Sequence, residues 1–396
     1  MSASQTERTG RSPLTIIFLT VFIDLVGFGI VIPVLPLYAQ QFGASPVVIG
    51  ALFGVYSLMQ AVAAPLLGRM SDRVGRRPVL LLSLIGTAAG FLLMGWAKTL
   101  PLLFLARIVD GVTGGNISTA QAYIADITRP EDRSRGMGLI GAAFGLGFIF
   151  GPAIGGVLSH VSLSAPFFFA AALAAANACA LYLFLPESLP PSARGAARRR
   201  PSLAAVFRED RTGKLPLILG AYFCTTAAFS LLTATYPLFT SHHFGFGAAH
   251  NGYLFAALGV VGAVIQGALM GRLVRTFGDK RLILAGAALL ALSLFVLPFS
   301  RTTGSLLMVT GVIAVGHSLI AAPINGLASR DVGAALQGQV LGIMQSAASI
   351  ARIIGPAAGG VLLQYDLAHA AEQFGRTAYW TGGAVMGAAL LLAALL

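Results

Sequence analysis

Charged side chains are scarce in this sequence: only 10% of its 396 residues are charged. Soluble domains carry about 25% charged residues, so these side chains could not cover the surface of a soluble protein of this size. Two cysteines are too few for the disulfide framework of a small secreted scaffold. The sequence also lacks the Gly-x-x-x-x-Gly-Lys-Ser/Thr loop that cradles phosphates, which argues against transport driven by ATP.

Hydrophobic residues make up 56% of the chain, and the mean hydropathy is +0.82. A membrane helix needs about 20 apolar residues, and the sequence contains twelve such stretches. They lie at residues 14–38, 47–67, 79–97, 102–124, 136–159, 165–185, 216–240, 250–270, 282–299, 305–327, 338–363 and 377–396. The segments have helical length and lack the ten-residue alternation of a membrane barrel. The sequence therefore predicts an all-α membrane protein with twelve transmembrane helices.

The basic residues are distributed unevenly among the connections between these stretches. Of the 26 lysines and arginines, 21 fall on the side that carries the N-terminus and the even-numbered connections, 3 fall on the other side, and 2 lie within spans. Cytoplasmic loops of membrane proteins are enriched in basic residues. We therefore expect both termini in the cytoplasm, and the net charge of +12 does not indicate nucleic-acid binding.

The chain repeats itself once. Residues 151–158 (GPAIGGVL) return as residues 355–362 (GPAAGGVL), 204 positions later, and residues 68–77 have a weaker echo at residues 271–280. We expect two six-helix halves, 1–185 and 216–396, joined by a cytoplasmic linker at 186–215. Parallel repeats with a substrate site between them are typical of alternating-access carriers. For the linker, a short membrane-surface helix capped by Ser202 and a solvated tether both remain open.

Several motifs resemble those of the major facilitator superfamily, and in particular its tetracycline-resistance-like drug:proton antiporters. The resemblance covers almost the whole chain. The motifs are the loop GRMSDRVGRR at 68–77, the first-helix run DLVGFGIVIPVLP at 24–36, the fourth-helix residues between 107 and 128, and the glycine motif at 147–156. The resemblance implies the major facilitator fold and proton-coupled export. Asp110, Arg352 and the absence of an acidic residue in the predicted spans of the C-terminal half depart from the tetracycline carriers, which argues against tetracycline as the substrate.

Four charged residues lie inside the predicted spans: Asp24, Arg107, Asp110 and Arg352. Such residues cost about 3 kcal/mol each on insertion scales and are usually functional. Arg107 and Asp110 can pair at i,i+3. The resemblance implies that helices one and four both line the central cavity, so Asp24 is expected to reach Arg107 in one orientation of the carrier. We interpret the three as a proton relay, while a fixed structural ion pair remains the alternative. His317 could join the relay or could only pack between helices.

Other residues are expected to line the cavity, close the gate and pack the halves together. Gln121, Gln345 and Arg352 are the predicted substrate-cavity residues, although Arg352 could instead only tie helices together. The resemblance implies a cytoplasmic gate of Asp72, Arg73, Arg76 and Asp126, although these charges could instead only set topology. Close packing at the interface is expected from Gly147, Gly151, Pro152 and Gly155.

The sequence as a whole predicts a proton-driven exporter of small amphipathic compounds in the bacterial inner membrane. A carrier of a metabolite such as an organic anion or a sugar is the alternative. The expected partners are a small-molecule substrate, protons and membrane lipids, and the chain is expected to act as a monomer. No enzymatic activity, cofactor or metal is expected, since the proton gradient supplies the drive.

Overall fold

A computed structural model describes residues 13–129, 133–195, 207, 210, 213–330 and 336–396. Within these residues, twelve helices are long and apolar enough to cross a membrane, as the sequence predicts. They are α1 (Pro13–Gln40), α2 (Pro46–Val74), α3 (Arg76–Trp96), α4 (Leu100–Ile127), α5 (Arg133–Leu158), α6 (Ala165–Phe184), α7 (Leu215–Phe244), α8 (Ala248–Phe277), α9 (Asp279–Val296), α10 (Thr303–Arg330), α11 (Gln337–His369) and α12 (Arg376–Ala394). The helix considered at Ser202 lies outside the described residues.

Two of the twelve helices are interrupted. Helix α4 consists of Leu100–Thr113 and Ile117–Ile127, separated by residues 114–116. In α8, residues Val264–Leu269 form a π-helical turn between two α-helical segments. Interruptions of this kind are frequent at functional sites. The break in α4 begins one helical turn after Asp110 of the predicted relay.

The two halves repeat the same local geometry. Gly75 joins α2 to α3 with φ of 115°, and Gly278, 203 positions later, joins α8 to α9 with φ of 77°. Only glycine adopts such angles without strain, so the echo in the sequence marks the same tight connection in each half. Packing repeats as well, because α1 lies along α5 in the first half as α7 lies along α11 in the second.

The halves meet most closely at one end of the molecule. We call the end at which α1 begins and α12 finishes the terminal end, and the opposite one the far end. At the far end, α2 packs on α11 and α5 packs on α8. The contact residues are glycines: Gly50 lies against the Pro356 backbone, Gly360 against Pro46, and Gly252 against Gly156. We call these backbone contacts the seam.

Towards the terminal end the same helix faces separate. Gly68 continues the α2 face of Gly50, and Gly342 continues the α11 face of Gly360, yet a Cβ at either would meet no atom of the described residues within 4 Å. The same is true, within this part of the chain, of a Cβ at Gly145 of α5 or at Gly267 of α8. The halves therefore enclose an opening that is shut by the seam and widens towards the terminal end.

Candidate functional site

A buried ion pair lies in the middle of α4. The Arg107 side chain is 1% exposed, and its Nη1 lies 3.0 Å from Asp110 Oδ2. Its Nε donates to the Leu52 carbonyl of α2 at 3.3 Å, and its guanidinium stacks 4.1 Å from the Tyr56 ring centroid. The predicted i,i+3 pair is therefore present, and an aromatic ring and a carbonyl of α2 hold its cation in place.

Asp24 does not contact Arg107 in this conformation. Its Oδ2 accepts a hydrogen bond of 2.7 Å from Asn116 Nδ2, while its buried Oδ1 has no hydrogen-bond partner among the described residues. Asn116 stands at the end of the break in α4, just before Ile117 begins the second segment. The break thus joins α4 to the carboxylate of α1, and Arg107 stays bound to Asp110.

The break itself is held from α2. Gly114 N donates to the Asp110 carbonyl at 2.7 Å, and the Gly114 carbonyl accepts from Gln60 Nε2 at 2.9 Å. Gln60 also donates to the Tyr56 hydroxyl at 3.2 Å. Both backbone groups of Gly114 are therefore satisfied, and the break is held by α2 on one side while Asn116 binds Asp24 of α1 on the other.

Asp24 and Asp110 border the same small cavity. Its volume is about 20 Å³, and its lining also includes Phe28, Tyr56, Thr87, Phe91 and Gly114. A polar cavity needs roughly 10–15 Å³ to hold one water. The cavity therefore has room for one water between the two carboxylates, which is a route by which a proton could pass from one to the other.

In the C-terminal half, Arg352 is the charged residue of the predicted substrate cavity. Arg352 of α11 is partly buried, and its Nη2 donates to Ser349 Oγ at 3.3 Å. Gln345 is exposed on the same face, and Gln121 of α4 is also exposed. His317 of α10 is partly buried and stacks on Phe229, with ring centroids 3.8 Å apart. None of these side chains forms an ion pair with a carboxylate within the described residues.

The predicted gate residues form a cluster within the N-terminal half. Arg76 Nη1 lies 2.6 Å from Asp72 Oδ1, and Arg76 Nε lies 3.0 Å from Asp126 Oδ2. Arg73 is exposed. The ion pairs join α2, α3 and α4, so in this conformation they do not bridge the two halves.

Glu187 belongs to this cluster, although the sequence reasoning did not single it out. Its carboxylate accepts from the backbone nitrogens of Arg76 at 2.9 Å and Arg77 at 3.2 Å, at the N-terminus of α3. A carboxylate is favoured at a helix N-terminus. The sequence does place an acidic residue, followed by Ser-Leu-Pro, just after the end of α6. Spacing along the chain does not show which loop this carboxylate contacts.

The glycines that were predicted to pack the two halves together lie instead against a helix of their own half. Gly147, Gly151 and Gly155 lie against α1 of their own half, where a Cβ at Gly151 would lie 2.6 Å from the Val26 carbonyl oxygen. Pro152 contacts both sides, since its ring approaches Gly29 of α1 and its carbonyl approaches Gly252 of α8. A glycine stripe shows that another helix comes close, but it does not identify that helix.

Known proteins resemble this chain over most of its length. The family model described as Major Facilitator Superfamily matches residues 17–356, with a second match at 218–396. The chain is 34% identical over 390 residues to the tetracycline resistance protein, class C, of Escherichia coli, covering 97% of this chain and 96% of that protein. It is 31% identical over 362 residues to multidrug resistance protein 1 of Bacillus subtilis, covering 89% and 90%.

Solved structures agree on the fold. The crystal structure of the human organic anion transporter MFSD10 (TETRAN) superimposes with a TM-score of 0.71 at 24% identity, covering 96% of this chain and 98% of that one. That of the nucleoside transporter NupG superimposes with a TM-score of 0.74 at 15% identity, covering 97% and 98%. At these identities the likeness bears on the fold alone.

Proposed function

Because this chain belongs to the Major Facilitator Superfamily, it is an integral membrane transporter and not an enzyme, and we propose that it exports small amphipathic compounds in exchange for protons. Transport proceeds by alternating access, with the opening presented to one side of the membrane at a time. The relatives named for tetracycline and multidrug resistance support this proposal. The observation that carries it is Asp24, a carboxylate in the middle of α1 with one oxygen lacking a partner within the described residues.

Asp24 acts as the proton carrier in this proposal. An ionised carboxylate buried in an apolar bundle costs several kcal/mol unless a cation approaches it. In the conformation described here Arg107 is bound to Asp110, and Asp24 holds the proton with Asn116 as its only side-chain partner in the described residues. When the compound binds from the cytoplasm, Arg107 moves to Asp24 and the proton leaves to the cytoplasm, and Asp24 takes up a new proton when the opening faces outward. His317, without a charged partner in the described residues, is proposed only as a helix-packing residue.

Reconstituted liposomes test the exchange. Protein is inserted into liposomes with an acidic lumen and an internal pH-sensitive dye, and candidate compounds are added outside, tetracycline and lipophilic dyes among them. An antiporter releases luminal protons as it takes up its compound, so the lumen becomes more alkaline. A compound that enters equally fast without a pH gradient, or carries protons in with it, contradicts proton-driven export. Liposomes with the Asp24→Asn variant are the control.

The orientation in the inner membrane is also a proposal, supported by the distribution of basic residues. The terminal end, with both termini and the linker, faces the cytoplasm, so this conformation opens inward. Ser241 lies near the end of α7 at the far end, and exposed Ser192 lies in the linker. After Cys179 and Cys224 are replaced, Ser241→Cys should react with an impermeant thiol reagent on cells with a permeabilised outer membrane, and Ser192→Cys should not. The reverse labelling would invert the orientation.

Each chain contains both halves and one complete opening between them, so we take the monomer as the working unit. Lipids contact its many exposed apolar side chains, as expected of a protein within a bilayer. The gate cluster of Asp72, Arg76 and Asp126 is proposed to close the cytoplasmic side when the carrier opens outward.

A further inference from the structure

Arg352 lies at the bottom of the opening. It sits one helical turn before Pro356, whose backbone packs on Gly50 of α2 in the seam. Ser349 and Gln345 follow on the same face of α11 towards the terminal end, where the exposure increases. The face of α11 that packs on the N-terminal half at the far end therefore includes Arg352 one turn later, where this face borders the opening.

The charge of Arg352 is not compensated by an acidic residue within the described residues. Within the part of the chain that the structure describes, its one side-chain hydrogen bond is to the neutral Ser349 hydroxyl at 3.3 Å, and the phenols of Tyr222 and Tyr56 are near it. Arg107, at a similar depth, has Asp110 at 3.0 Å. An intramembrane cation without a counter-ion is costly, so such groups usually face a water-filled cavity or a ligand.

On the basis of the proposed export, we propose that Arg352 binds an acidic group of the transported compound, which is an amphipathic organic acid. A guanidinium offers paired N–H donors that match the two oxygens of a carboxylate. Tyr222 of α7, which is partly exposed, provides aromatic surface for the apolar part of the compound. The acid would then be held by the C-terminal half, while the proton is carried by Asp24 in the other half.

A matched pair of fluorescent probes tests this inference. Dansylglycine carries a carboxylate, and dansylglycinamide is the same molecule with a neutral amide in its place. Binding of each is measured by fluorescence with the full-length protein in lipid nanodiscs. Wild-type protein should prefer the acid by about tenfold, because the guanidinium forms a charged hydrogen bond with the carboxylate that the neutral amide cannot match. Arg352→Gln should remove the preference, and Arg352→Lys should retain part of it.

Two controls separate charge recognition from misfolding. Unchanged binding of the amide to Arg352→Gln would show that the variant is folded. Arg301→Gln removes an exposed arginine between α9 and α10 and should keep the wild-type preference. Wild-type protein without a preference for the acid, including protein that binds neither probe, overturns the inference, as does a preference that survives in Arg352→Gln.

Failure of this inference is distinguishable from failure of the proposed function. The liposome assay reports whether any compound exchanges for protons, whatever its charge. Proton exchange with neutral or cationic compounds, without preference for the acid, overturns the anion site and leaves proton-driven export standing. Preference for the acid without any coupled proton movement supports the site at Arg352 and contradicts the proton-driven export.

Discussion

The two halves of this transporter share their packing but not their charges. Both contain the Gly-Pro run in corresponding helices, α5 and α11, and both use these helices against the first helix of their own half. Yet 204 positions after Asp24 and Asp110 stand Ala228 and Ala314. In the reverse direction, the position corresponding to Arg352 is Phe148.

The difference separates the residues that build the fold from those that perform the chemistry. Glycine and proline contacts repeat because, in each half, the helix with the Gly-Pro run packs closely on the first helix of that half. Charges within the membrane-spanning helices do not repeat between the halves. Because such charges are costly to bury, their presence indicates a function that each half performs alone. In our proposal, the N-terminal half couples the proton and the C-terminal half recognises the substrate.

The largest effect is expected from Asp24→Asn, which removes the only proposed proton carrier. Export driven by a pH gradient should fall to the level of protein-free liposomes, while substrate binding remains and loses its dependence on pH. Asn cannot exchange a proton, but it preserves the size and the hydrogen bonding of the side chain. Asp279→Asn, at the terminal end of α9, is the matched control and should still export. Gradient-driven export by Asp24→Asn would assign the coupling elsewhere.

The second effect concerns stability and contrasts the paired arginine with the unpaired one. Removing one partner of a buried ion pair costs about 3–5 kcal/mol, so Arg107→Gln and Asp110→Asn should each lower the midpoint of thermal unfolding in detergent. Arg107→Gln combined with Asp110→Asn should recover part of the loss. Arg352→Gln, which removes a cation without an acidic partner in the described residues, should not lower the midpoint. Equal losses for both arginines would remove the contrast between the halves.

A smaller effect is expected at the seam. A Cβ at Gly252 would lie 2.5 Å from the Pro152 carbonyl oxygen, whereas a Cβ at Gly267 in the same helix would meet no atom within 4 Å in the part of the chain that the structure describes. Gly252→Ala should therefore prevent full closure at the far end, slow transport and increase thiol labelling of Ser241→Cys. Gly267→Ala should change neither. Overpacking of this kind costs about 1–3 kcal/mol. Equal transport and equal labelling in the Gly252→Ala and Gly267→Ala variants would mean that the seam does not seal the opening.

The smallest effect on stability is expected at the gate cluster. Asp72 is 39% exposed, and exposed ion pairs contribute about 0–1 kcal/mol. Asp72→Asn should unfold at nearly the wild-type temperature. Its transport should be slower, because the cytoplasmic side closes poorly when the carrier opens outward. For the same reason, the opening should become more accessible to thiol reagents from the cytoplasmic side. Substrate binding should persist. Full transport in both Asp72→Asn and Asp126→Asn would leave these charges only a role in topology.

The sequence predicted the fold well because its signals are local. Helix number follows from apolar length, the Arg107–Asp110 pair from i,i+3 spacing, and the contact of Arg76 with Asp126 from family motifs. The contact of Asn116 with Asp24 needed the structure. The break in α4 and the partner of Asn116 depend on how α1 and α4 pack, which no local pattern in the sequence shows. Glu187 was missed for the same reason.

Proton release from detergent-solubilised protein tests the central assignment most directly. A compound identified in the liposome assay is added to the protein in weak buffer, and the released protons are measured with a pH-sensitive dye. We predict release from wild-type protein and none from Asp24→Asn. Loss of release in Asp110→Asn, with release unchanged in Asp24→Asn, would contradict the assignment to Asp24 and move proton coupling from α1 to α4.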